Sequence, residues 1–197
     1  MTIAQTTSST GPSRYDSVAM TLHWLIALTV ILNIALGLYM GELPRTDPMK
    51  FTILQLHFSV GLTVLILSVL RVAWRLMNKV PPLPANMSTL ERWLAKGMHL
   101  AFYILILALP LTGWAILSAS PRGGPIPYFG LFNWPHIWFL SNMDMAGKKA
   151  IIGSIAETHE TLAWIMIVLV PIHILAALYH QHVRKDGVLA RMLPWGK

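Results

Sequence analysis

The stretch HETLAWIMIVLVPIH, residues 159–173, decides the fold, because it places a histidine at each end of a continuous apolar segment. An α-helix turns about 100° per residue, so fourteen residues make nearly four whole turns and both histidines project from the same face. At about 1.5 Å of rise per residue, the two side chains lie about 21 Å apart along the helix axis. The segment therefore predicts one helix that presents two imidazoles at two different levels.

The composition is that of a membrane protein. Of the 197 residues, 55% are hydrophobic and only 12% are charged, whereas soluble domains carry about 25% charged residues. The net charge of +7 does not indicate a nucleic-acid partner, since the basic residues of a membrane protein mainly set its orientation. Cysteine is absent, which excludes disulfides, iron–sulfur clusters and covalently attached haem.

Four segments have the roughly 20 mainly apolar residues that a membrane-crossing helix needs: about 17–40, 51–75, 92–118 and 151–183. Lipid cannot satisfy free backbone groups, so the prediction is an all-α, up-down four-helix bundle. Residues 1–16 are predicted to form a flexible cytoplasmic tail, and residues 184–197 a second cytoplasmic tail. The 118–150 connection is rich in aromatic residues and is expected to lie along the membrane interface.

The distribution of basic residues predicts that both termini are cytoplasmic. The N-terminus, the 75–96 connection and the C-terminal tail hold most of them, and Arg71 ends the second span on the same side. The inner set is Arg14, Arg71, Arg75, Lys79, Arg92, Lys96, Arg184, Lys185, Arg191 and Lys197, and the outer set is Arg45, Lys50, Arg122, Lys148 and Lys149.

Five histidines lie within the spans, where ionisable residues are rare and usually functional. In this topology His57 and His159 share the outer level, and His23, His99 and His173 share the inner level. The iron of an electron-transfer haem takes two axial ligands, which facing helices can supply. We therefore predict two haem b groups, the outer one held by His57 and His159 and the inner one by His173 with either His23 or His99. A single zinc or copper site cannot use histidines about 21 Å apart.

Two histidines, His180 and His99, suit a quinone site on the inner side. His180 lies seven residues beyond His173 and thus near the same helix face, and His99 lies at a similar depth. Imidazoles can hydrogen-bond quinone carbonyls and supply protons near neutral pH. On the outer side, Glu160 is a candidate hydrogen-bond partner for the neighbouring His159.

Four motifs resemble the prokaryotic cytochrome b561 family: TLHWLIA, LHFSVGLTVLILSVLRVAWR, HETLAW with a second histidine fourteen residues later, and KDGVLARMLP. The resemblance runs from about residue 14 to the C-terminus. It is closest in kind to the small stand-alone members typified by bacterial superoxide oxidase, and the four-helix design also resembles the cytochrome subunits of formate dehydrogenase and nickel–iron hydrogenase. The resemblance implies that His23 pairs with His173 and His57 with His159, which leaves His99 free. It also implies ubiquinone as a substrate.

The resemblance further matches Arg45 and Arg122 to basic positions of the superoxide oxidase pattern, where a cationic rim steers a small anion. The expected protein is thus a multi-pass cytochrome of the bacterial inner membrane, a superoxide:ubiquinone oxidoreductase that oxidises superoxide on the periplasmic side. The alternative is a membrane anchor and electron conduit between quinone and a partner dehydrogenase or soluble carrier. A third class, a non-redox transporter or scaffold, would use the histidines for something other than haem.

Overall fold

A computed structural model of the chain describes residues 14–195. Each of its four long helices is long and apolar enough to cross a membrane. The predicted all-α four-helix membrane bundle is therefore confirmed. The long helices are α1 (Ser17–Glu42), α2 (Pro48–Met77), α3 (Thr89–Ser118) and α5 (Met145–Tyr179), and the short elements between α3 and α5 are β1 (Ile126–Tyr128), β2 (Phe132–Trp134) and α4 (Trp138–Ser141).

Polar caps begin the long helices, and they explain why three helices start before the predicted apolar segments. The side chains of Asp16, Asp47, Ser88 and Asp144 each accept a backbone N–H from the first turn of the helix that follows. A capping side chain satisfies one of the donors that a helix start leaves free. α2 therefore begins at Pro48, α3 at Thr89 and α5 at Met145, ahead of the apolar runs that begin near residues 51, 92 and 151.

The long helices pack in chain order, α1 against α2, α2 against α3 and α3 against α5. The most buried apolar layer lies half-way along the bundle and is formed by Ile26, Val64, Leu105, Ile106 and Met166. Met166 is seven residues from both His159 and His173, so it lies on the same face of α5 between them. An apolar layer thus separates the two histidine levels.

At one end of the bundle, called here the hairpin end, β1 and β2 pair antiparallel with Pro127 opposite Asn133. The buried Ser59 hydroxyl anchors this hairpin to α2: it accepts the Phe129 N–H at 3.0 Å and lies 3.3 Å from the Pro127 carbonyl. The 118–150 connection therefore folds over the bundle. Leu131 stays exposed near the turn of the hairpin, and Trp138 stays exposed on α4.

The opposite end, called here the termini end, brings residues near both described ends together. After α5 the chain makes a π-helical turn (His180–Arg184) and a 3₁₀ turn (Ala190–Met192). Trp24 Nε1 donates to the Met192 carbonyl at 2.8 Å, and the Tyr15 N–H donates to the Arg191 carbonyl at 3.3 Å. The predicted C-terminal tail is thus held against the helices at Met192. Residues 1–13 of the predicted flexible tail, and residues 196–197, lie outside the described residues.

Candidate functional site

The span histidines meet in two groups, one toward each end of the bundle. The hairpin-end pair is His57 of α2 and His159 of α5, with ring centres 6.3 Å apart. The termini-end cluster is His23 of α1, His99 of α3 and His173 of α5. Since α5 is one helix from Met145 to Tyr179, its two histidines lie about 21 Å apart along the axis.

Hydrogen bonds hold the rings of the hairpin-end pair. His57 Nδ1 lies 3.1 Å from the Asn33 carbonyl oxygen. His159 Nδ1 lies 3.1 Å from the Leu109 carbonyl oxygen and 2.9 Å from Thr112 Oγ1. A carbonyl oxygen can only accept, so each Nδ1 carries the proton and donates it. Each Nε2 is then left with a free lone pair, which is the form that binds a metal ion.

A glycine makes room for each of these rings. Gly37 lies four residues after Asn33, and Gly113 lies four residues after Leu109. In a helix, residue i+4 stands directly over the carbonyl of residue i, so a side chain there would project beside the accepting oxygen. A Cβ at Gly37 would lie 3.1 Å from His57 Cε1, and one at Gly113 would lie 3.4 Å from His159 Cε1. Both histidines therefore dock on a carbonyl beside a glycine.

The hairpin-end pair opens into a cavity of about 600 Å³ between the long helices. All four long helices contribute apolar lining residues, among them Val30, Leu62, Leu105 and Met166. Asn33 also lines this cavity, and its buried Oδ1 has no hydrogen-bond partner among the described residues. The site is thus a mainly apolar chamber with two imidazoles and one unsatisfied acceptor.

The termini-end cluster contains three rings around His173. The centre of the His173 ring is 6.3 Å from that of His23 and 6.2 Å from that of His99. The Phe102 ring packs edge-on against His173 with its centre 5.1 Å away. Distance alone therefore does not distinguish His23 from His99 as the partner of His173.

His180 belongs to a separate hydrogen-bonded pair beyond α5. Its Nδ1 donates to Asp186 Oδ2 at 2.6 Å, and the Asp186 side chain is only 1% exposed. The pair spans the π-helical turn, a form of helix that is frequent at functional sites. Arg184 of the same turn donates to the carbonyl of Asn86, in the connection between α2 and α3.

The predicted anion-steering arginines do not line the cavity. Arg45 lies in the connection between α1 and α2, Arg122 lies between α3 and β1, and both are exposed. Two carboxylate residues, Glu42 and Glu160, do line the cavity. Glu160 is exposed, and the hydrogen bonds of the His159 ring go to Thr112 and Leu109 instead.

Comparison with known proteins identifies the family. Residues 14–195 match the family model described as prokaryotic cytochrome b561. The chain belongs to the prokaryotic cytochrome b561 family.

This cytochrome b561 family member matches similar proteins over nearly its whole length. It is 36% identical over 183 residues to "Cytochrome b561 homolog 2" of Escherichia coli, covering 92% of each chain. It is 34% identical over 183 residues to "Probable superoxide oxidase CybB" of Yersinia pestis, covering 92% of this chain and 96% of that one. A further relative, "Cytochrome b561 homolog 1" of Escherichia coli, is 28% identical over 189 residues, covering 92% of this chain and 98% of that one.

Membership in the cytochrome b561 family assigns the general activity. The protein binds haem b and transfers electrons across a bacterial membrane. This membership confirms the resemblance to the family that the sequence motifs predicted.

The hairpin-end site of this cytochrome b561 family member fits a haem. If two imidazoles held one iron between them through metal–nitrogen bonds of about 2 Å, their ring centres would lie about 6–6.5 Å apart. The observed 6.3 Å between His57 and His159 falls in this range. The cavity volume of about 600 Å³ also lies within the range of about 300–1,000 Å³ that is typical of ligand pockets. Among residues 14–195, no group of three or more His, Asp or Glu residues is arranged to hold a single metal ion.

Sequence reasoning missed the residues that hold the imidazoles, namely Asn33, Gly37, Leu109 and Thr112. A hydrophobic span with an isolated glycine gives a weak signal, because glycine is also common at plain helix contacts. The signal that could have found them is the position of each glycine, close in membrane depth to a histidine on another span.

Proposed function

We propose that this protein holds two haem b groups, with His57 and His159 binding the haem at the hairpin end and His23 and His173 binding the one at the termini end. The observation that carries the proposal is the repeated ring-centre distance of 6.3 Å in both pairs, each of which uses a histidine of α5. Two such haems would supply a one-electron path through the apolar middle of the bundle. His57 with His159, and His23 with His173, would hold the two haems, which would supply one-electron chemistry without an open iron position for oxygen species.

The choice of His23 over His99 rests on the family resemblance, since both rings lie at nearly the same distance from His173. Alanine variants test this choice directly. His23→Ala should lose one haem per chain, whereas His99→Ala should retain two. The reverse result would make His99 the ligand and leave His23 as the neighbouring polar group.

We further propose that the reaction is superoxide oxidation coupled to ubiquinone reduction, in the bacterial inner membrane. Two superoxide anions each give up one electron and leave as oxygen, and one ubiquinone takes up two electrons and two protons to become ubiquinol. The name of the Yersinia pestis relative, a probable superoxide oxidase, supports this reaction class. The basic residues near the termini end support a cytoplasmic location for that end, with the hairpin end in the periplasm.

Arg45 and Arg122 are proposed to raise the capture rate of superoxide. Both are exposed on connections at the hairpin end, and neither has a salt-bridge partner among residues 14–195. Exposed cations can steer a small anion over roughly a Debye length, about 8 Å at physiological ionic strength. Glu42 and Glu160 line the cavity with carboxylates, which repel an anion. Attraction by the two arginines would offset this repulsion.

His99 and His180 are proposed to serve ubiquinone at the termini end. Asp186 accepts the Nδ1 proton of His180, which leaves Nε2 with a lone pair that can accept or relay a proton. His99 lies beside His173, within the cluster assigned to the second haem.

The experiment is rapid mixing of the purified protein with superoxide and a ubiquinone analogue. We expect two b-type haems per chain and ubiquinol formation above the spontaneous rate. Arg45→Ala with Arg122→Ala should slow the reaction more at low than at high salt, because salt screens steering. Equal slowing at both salt concentrations would contradict the steering role.

The rival function is an anchor and electron conduit for a partner dehydrogenase or a soluble carrier. The Escherichia coli relatives bear only cytochrome names, and the exposed Leu131 and Trp138 at the hairpin end offer an apolar surface. Two haems without superoxide-dependent ubiquinol formation would favour this rival. A preparation without haem absorbance would remove both redox functions.

A further inference from the structure

The two rings of the hairpin-end pair differ by one hydrogen bond. His57 Nδ1 has a single acceptor, the Asn33 carbonyl oxygen at 3.1 Å. His159 Nδ1 has the Leu109 carbonyl oxygen at 3.1 Å and, closer, the hydroxyl oxygen of Thr112 at 2.9 Å. Among residues 14–195, a side-chain hydroxyl therefore accepts a hydrogen bond from only one of the two imidazoles, and this hydroxyl can be removed by mutation.

The direction of the Thr112 hydrogen bond follows from its other neighbours. The hydroxyl oxygen lies 2.9 Å from the Ala108 carbonyl oxygen and 2.8 Å from the Leu109 carbonyl oxygen, both on its own helix. These oxygens can only accept, so the hydroxyl proton points to the backbone and a lone pair is left for His159. A hydroxyl that donates to a carbonyl becomes a better acceptor through mutual polarisation.

We infer that Thr112 is a positioning residue that fixes His159 with its proton on Nδ1 and makes its Nε2 a stronger electron-pair donor than that of His57. The inference rests on the proposed function, in which His159 binds haem iron. An acceptor at the distal nitrogen raises the basicity of a ligating imidazole. A more basic histidine ligand favours ferric over ferrous iron, so Thr112 would lower the midpoint potential of a haem held by His159.

The test compares two substitutions at Thr112. Thr112→Val keeps the shape and removes the hydroxyl, whereas Thr112→Ser keeps the hydroxyl and removes a methyl group. The matched control is Thr63→Val on α2, whose hydroxyl contacts the Ser59 carbonyl and the Tyr128 hydroxyl, each at 3.0 Å, and no histidine. Haem content, redox titration of each haem and the electron paramagnetic resonance spectrum of the ferric protein are measured for all variants.

We expect Thr112→Val to raise one of the two midpoint potentials and to change one of the two ferric signals. Thr112→Ser and Thr63→Val should match the unmodified protein in both measurements. Loss of one haem in Thr112→Val, with full haem content in Thr112→Ser, would also support the positioning role. Thr112→Ala serves as a second hydroxyl-free variant if the valine variant does not fold.

Two results would overturn the inference while leaving the proposed function intact. In one, the hydroxyl-free variant holds two haems with unchanged potentials and unchanged ferric signals. In the other, Thr112→Ser shifts the potential as much as Thr112→Val, which would assign the effect to packing. Fewer than two haems in the unmodified protein would instead refute the proposed function itself.

Discussion

Gly37→Ala is the substitution for which the structure allows the most detailed prediction. The added Cβ would lie 3.1 Å from His57 Cε1, whereas carbon atoms pack best at about 3.5–4.0 Å. The ring must therefore withdraw by about 0.4 Å. Its Nδ1 is already 3.1 Å from the Asn33 carbonyl oxygen, near the upper end of the usual range of about 2.7–3.2 Å. A retreat of this size would stretch the contact to about 3.5 Å and end the hydrogen bond.

Loss of such a supporting hydrogen bond typically lowers metal affinity by about 10- to 100-fold. We therefore expect Gly37→Ala to lose haem at the hairpin end on purification and dilution, while the haem at the termini end is retained. The assay is the haem-to-protein ratio, together with redox titration of the haem that remains. Gly113→Ala should have a smaller effect, because its added Cβ would lie 3.4 Å from His159 Cε1, close to an ordinary van der Waals distance. The control is Gly153→Ala, where nothing lies within 4 Å.

Retention of both haems with unchanged potentials in Gly37→Ala would contradict the role given to this glycine. That result would mean that the His57 ring has room to move without losing its iron, so the glycine is not required for docking. A loss in Gly153→Ala as large as in Gly37→Ala would also refute it, because the effect would then come from the helix backbone rather than from the ring.

Two further predictions concern carboxylates at the termini end. Burial raises the pKa of Asp16, but hydrogen bonds from the Ala19 N–H and the Trp74 indole outweigh it and lower the pKa below its ordinary 3.8. Asp16 should thus stabilise the fold above about pH 4 and lose this effect as the pH falls through its folded-state pKa. Asp16→Ala should cost about 1 kcal/mol in thermal unfolding at pH 7, and this cost should shrink as the pH falls through that pKa. Asp186→Ala leaves the half-buried His180 Nδ1 proton without an acceptor and should cost about 1.5–3 kcal/mol, measured as a drop in melting temperature, and Asp186→Asn should cost less.

The four spans could be predicted because they are local properties of the chain. Twenty apolar residues in a row and a polar cap at the start depend only on neighbouring residues. The helix α5 extends beyond its predicted apolar span, since its cap is Asp144 and it begins at Met145, whereas the span begins at about 151. Hydropathy detects the apolar part of a helix and not its first polar turns. The separation of the α5 histidines into two levels is local in the same sense, since it follows from helix geometry alone.

The sequence by itself determined the bundle, the two levels on α5 and the set of histidines available at each. The tertiary structure alone decided that His57 docks on Asn33, 24 residues away, and that His159 docks on Thr112, 47 residues away. It also decided that Arg191 reaches the Pro82 carbonyl, 109 residues away. These contacts depend on how each helix is rotated and shifted along its neighbours, and packing of many side chains at once sets that rotation and shift. No local pattern encodes it.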